Sequence, residues 1–105
     1  MMTWNKSIYT LSLARRAGKL AIGFTASKQA VLQNKAAAIV ISKDASERTR
    51  RNIRFLAEKI SCFDLPFTQD DIDSVMKRKF AVAAILSTDF EKLFLKALEE
   101  DMDVN

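Results

Sequence analysis

No histidine occurs in this chain, and that gap removes much of ordinary enzyme chemistry. Imidazole is the usual general base near neutral pH and the commonest protein metal ligand. Cys62 is the only cysteine, so no internal disulfide can form, which suits a reducing compartment such as the cytoplasm. A nucleophilic Cys62 would lack its customary histidine partner, so a buried, inert thiol between Ser61 and Phe63 is expected. The two glycines, Gly18 and Gly23, are too few for a glycine-rich phosphate loop. No apolar run approaches the roughly 20 residues that cross a bilayer. Met1 to Lys6 also lacks the charged, apolar and small-residue succession of a signal peptide. Catalysis, a bound metal or cofactor, a small-molecule substrate and a membrane partner are therefore not expected.

What is present fits one compact domain over residues 1–105, with 49% hydrophobic and 29% charged residues. Its net charge of +4 hides an asymmetry. Residues 1–59 carry twelve Lys or Arg against three Asp or Glu, whereas residues 60–105 carry five against ten. A basic half and an acidic half point to a face that binds a polyanion.

Helix and strand alternate through the chain. A first helix is predicted over about Asn5 to Ala17, with Ile8, Leu11 and Ala14 inward, Leu13 at its margin and Gly18 ending it. Leu20-Ala21-Ile22 suffices for a brief strand, and a second helix opens near Thr25 as its cap. Ala36 to Ser42 and Phe80 to Ser87 are short continuous apolar runs, the mark of strands buried on both faces. Asp44 to Glu47 and Thr88 to Glu91 follow them with capping-box spacing. The helices they start place Ile53, Leu56, Ala57 and Ile60, then Phe90, Leu93, Phe94 and Ala97, at inward spacings. Cys62 to Phe67 reads as a weak strand, which Pro66 restricts to an edge. Thr68 to Asp71 starts a further helix, and Glu99 onward reads as a frayed acidic tail. The fold class is α/β: a three-layer αβα sandwich around a mixed sheet of about four strands.

Three basic groups stand out, each with two open readings. Arg15, Arg16 and Lys19 can contact phosphates or complement a helix C-terminus. Gly23, with Thr25, Lys28 and Gln29 behind it, can admit an RNA backbone to a helix start or form an ordinary turn and cap. Arg48, Arg50, Arg51 and Arg54 can bind RNA or form a solvated face, with Arg50, Arg51 and Arg54 on one side of their helix. Phe55, Phe63, Phe67, Phe80, Phe90 and Phe94 fall at core spacings, so no base-stacking platform is expected. The side taken by Phe24 stays open, as do those of Trp4 and Tyr9.

Leu11-Ser12-Leu13-Ala14-Arg15-Arg16-Ala17-Gly18-Lys19-Leu20 resembles the opening of the kink-turn-binding ribosomal proteins, the L-seven-Ae family, and most of all its short bacterial YlxQ-like branch. The likeness continues through Gly23, Ala36 to Ser42, Asp44-Ala45-Ser46 and Ser87-Thr88-Asp89-Phe90, nearly the whole chain. It implies an αβα sandwich that binds sharply bent or internally looped RNA, ribosomal or small non-coding, with the ribosome as a further partner. It implies contacts from the start of the second helix, the loop after the second strand and the loop before the last strand. The family's Gly-x-Asn-Glu-x-x-Lys pattern is kept only at Gly23; Thr25, Ala26 and Gln29 stand at the other positions, with Lys28 one residue early. Lys43 lies in the second of these loops. The expected RNA-binding surface is thus Arg15, Arg16, Lys19, Gly23, Thr25, Lys28, Gln29, Lys43, Arg48 and Arg51.

Overall fold

A computed structural model describes residues 5–102, the side chain of Asn5 excepted; Trp4 lies outside them. Five helices and four strands alternate: α1 (Asn5–Arg16), β1 (Leu20–Ile22), α2 (Phe24–Leu32), β2 (Ala38–Ile41), α3 (Glu47–Leu56), β3 (Ser61–Asp64), α4 (Gln69–Met76), β4 (Val82–Ile85) and α5 (Thr88–Met102). The sheet is mixed, in the order β1-β4-β2-β3. β4 pairs antiparallel with both β1 and β2, whereas β3 lies parallel to β2 at the edge, with Pro66 just beyond it.

Every residue of β2 and β4 is buried, because successive side chains feed opposite layers. Ala38 and Val40 point with Ala83 and Ile85 into a core closed by Ile8 and Leu11 of α1, Ile72 and Met76 of α4, and Phe94 of α5. Ile39, Ile41, Val82 and Ala84 point the other way, onto Ala30 of α2 and Ile53 of α3. Each large aliphatic or aromatic side chain so enclosed contributes about 1.5–3 kcal/mol. The three-layer expectation holds, with α1, α4 and α5 on one face and α2 and α3 on the other.

Three helix starts differ from the sequence reading, two of them where neighbouring polar residues compete for a cap. Ser46, not Asp44, caps α3 by accepting the Thr49 N–H at 3.1 Å. Asp44 instead accepts the Gln69 N–H at the start of α4. Ser87 Oγ accepts the Phe90 N–H, so Thr88 stands inside α5. α2 begins one residue before Thr25, with Gly23 as its cap residue and no side-chain cap. Thr68 and Asp71 do form a full capping box on α4. Gly18 ends α1 as expected: at φ 71° it lets Lys19 N–H reach the Ala14 carbonyl and its own N–H reach Arg15.

Two further expectations fail on α5. Leu93 is 55% exposed, so the inward stripe is narrower than the spacing suggested. Over residues 99–102 the acidic end is no frayed tail: the helix runs to Met102, and Asp101 is buried; the rest of that stretch lies outside the described residues. Its carboxylate accepts the Lys6 and Ser7 backbone N–H groups at 3.2 and 2.9 Å and the Ser7 hydroxyl at 2.7 Å. The last helix thereby caps the first, placing a negative charge at the positive pole of α1.

Candidate nucleic-acid interface

Strand direction decides which loops meet. β1 ends, β2 ends and β4 begins on one edge of the sheet. Backbone hydrogen bonds join the loops there: Gly23 N–H to the Val82 carbonyl, Ser42 N–H to Ala81, Lys43 N–H to Phe67. The start of α2, the loop after β2 and the loop before β4 thus form one continuous rim. Gly23 enters α2 at φ 98° and ψ 163°, a conformation essentially reserved for glycine.

Behind the rim, α2 and α3 lie side by side over the same sheet face. Between them they carry five Lys or Arg against one Glu. Helices α1, α4 and α5, on the opposite face, carry five against eight. The basic half of the sequence is therefore not one basic face, because α1 sits among the acidic helices.

The arginines of α3 divide into two sets, unlike the single side predicted from their spacing. Arg50 and Arg54, one turn apart, both bind the Asp64 carboxylate at the end of β3. Arg50 also reaches the Ser42 and Lys43 carbonyls at 3.3 and 3.4 Å, pinning the loop after β2. Arg48 and Arg51 are exposed and make no ion pair among the described residues. Arg51 instead lines a shallow cleft of about 490 Å³ with Phe24, Lys28, Asn52, Phe55 and Leu56.

Of the other expected site residues, Thr25 and Gln29 are exposed one turn apart on α2, and Lys43 is exposed on the rim. Asp44, beside it, is held below its ordinary pKa. Slight burial acts to raise it, but the hydrogen bonds it accepts, the Gln69 N–H foremost, outweigh that. Arg15, Arg16 and Lys19 are not brought to this surface. Lys19 precedes β1 and is bonded to Leu86 after β4, at the opposite sheet edge from Gly23. Arg15 donates to the Met76 carbonyl at 2.7 Å, the last of α4, so it fastens two helices of the far layer. Cys62 is half-buried, and burial pushes its thiol up despite the nearby Arg54 charge. No group of three or more potential metal ligands is assembled among the described residues.

A family model, that of the ribosomal protein L7Ae/L30e/S12e/Gadd45 family, matches residues 6–96. The chain belongs to this family. A relative, "RNA-binding protein YlxQ" of Enterococcus faecium, is 27% identical over 96 residues, covering 90% of this chain and 92% of that protein. A Bacillus halodurans protein with unknown function superposes with a TM-score of 0.81 at 18% identity, over 90% of this chain and 98% of its own. A Giardia lamblia 15.5kD RNA binding protein gives 0.69 at 10% identity, over 97% and 89%. At these identities the two structures testify to the L7Ae-type fold.

Sequence reasoning missed one member of the α2–α3 surface entirely. Phe55, expected in the core, is 79% exposed because its position follows Arg51 by one helical turn, not Ile53. The signal was available: Ile53 and Ala57 already fill the inward stripe of α3, and Phe55 lies about 200° from Ile53 around the helix.

Proposed function

We propose that this chain binds structured RNA and catalyses no reaction, holding a bent or internally looped strand across the rim formed by Gly23 and Lys43. The observation that carries this is the charge of the α2–α3 layer directly behind that rim, where Lys28, Arg48 and Arg51 stand exposed and, among the described residues, unpaired by carboxylates. Phosphates would dock on these cations, while Gly23 lets the backbone approach and Thr25 and Gln29 offer polar atoms to base edges. The family and the relative named for RNA binding support the same reading. Ribosomal or small non-coding RNA, a kink-turn-like bend and a cytoplasmic setting complete the proposal. No described helix is long and apolar enough to cross a membrane.

Filter binding of hairpins with asymmetric internal loops, against fully paired hairpins of equal length, tests it. Lys28→Glu with Arg51→Glu should weaken looped-hairpin binding at least about tenfold, and added salt should weaken the wild type steeply. Arg16→Glu, on the opposite layer, should cost far less. Equal losses from the two surfaces, or no preference for the looped hairpin, would remove the assignment.

A protein-contact module on the same fold is the second reading. It is favoured by Leu13 and Leu93, both about half exposed, which line one groove between α1 and α5. Co-purification with a protein partner that survives ribonuclease would support it.

A further inference from the structure

The geometry points to the cleft between α2 and α3 as a pocket that stacks one unpaired nucleobase of the bound RNA, with Phe55 as the stacking ring. This rests on the RNA-binding reading and adds to it a specific contact away from the Gly23 rim.

The cleft is built from matching stripes on two helices. On α2, Lys28 follows Phe24 by one turn; on α3, Phe55 follows Arg51 by one turn. Residues four apart share a helix face, so each wall offers one ring and one cation. The two rings differ in role. Phe24 is half-buried and packs on the core beneath α2 and α3, which makes it a fixed floor. Phe55 is 79% exposed and stands at the mouth.

Chemistry selects the occupant. No carboxylate lines the cleft, and its two charged members, Lys28 and Arg51, are both cations. The visitor should therefore be flat, apolar on its faces and carried on an anionic chain, which describes a base splayed from a phosphate backbone. Asn52 adds an amide with both donor and acceptor, able to meet a base edge but selecting no base by itself. The volume, about 490 Å³, falls within the roughly 300–1,000 Å³ of small-ligand pockets. An apolar peptide would gain nothing from the two cations, and a mononucleotide would leave Arg48 and Lys43, exposed outside the cleft, unused.

The test uses the full chain and a pool of hairpins whose asymmetric internal loops contain randomised nucleotides. The member best retained by the wild type is resynthesised with each loop base removed in turn. Phe55→Ala should bind the intact hairpin about tenfold more weakly, the loss of one base–aromatic stack, and Phe55→Trp should bind near wild type. Leu32→Ala, which removes another large exposed apolar side chain, outside the cleft, should change nothing. Removing one particular base should weaken the wild type but not Phe55→Ala, the non-additivity expected of groups in contact. Matching thermal midpoints for the variants will show that folding is kept. Phe55→Ala binding within about twofold of wild type, or losses additive with every base removal, would overturn the cleft while leaving RNA binding intact. A wild type that retains no hairpin would overturn both.

Discussion

Gly23 does its work with its backbone. Its φ of 98° and ψ of 163° lie where a Cβ costs about 1–3 kcal/mol, although a Cβ built there would meet nothing within 4 Å. Gly23→Ala should therefore lower unfolding stability by about that amount in urea titration, through backbone strain alone. Asp44 works by charge. Its lowered pKa means that the folded state favours the carboxylate, so the stabilisation is present above the unfolded value and lost as pH falls through the folded one. Asp44→Asn should be less stable than wild type at neutral pH, and the difference should close in acid. Urea midpoints of both proteins across that range check it. A constant difference would mean that shape, not charge, matters at Asp44.

Among the elements, the strands were the most legible in sequence. β2 and β4 announce themselves as short apolar runs because both of their faces are covered. Caps were less legible, since Asp44 and Ser46, or Ser87 and Thr88, offer equivalent oxygens and only tertiary position chooses between them. Asp101 was illegible for a different reason: its partners are Lys6 and Ser7, at the other end of the chain. Asp101→Ala should cost about 1.5–3 kcal/mol, the worth of hydrogen bonds to a charged group. Hydrogen exchange at the Lys6 and Ser7 amides should accelerate beyond what the global loss explains. Unchanged exchange there would mean that α1 does not depend on this cap.

For the whole molecule, composition spoke of two charged halves, whereas space divides charge by layer. The basic first half splits when α1 crosses to the acidic face, where Lys6 meets Glu100 and Arg15 meets the end of α4. Periodicity assigns a residue to a side of its own helix but says nothing of which layer that helix joins. That is why sequence alone groups Arg15, Arg16 and Lys19 with Lys28 and Arg51. The cap on α1 carries one more consequence, in the order of manufacture. Ser7 and its carboxylate partner are 94 positions apart, so a ribosome adds Ser7 roughly 5 to 20 s before it supplies the group that seals the first helix. During that interval Ile8 and Leu11 also wait for Phe94. The seal on α1 and its side of the core are thus completed only once the α5 residues have been made.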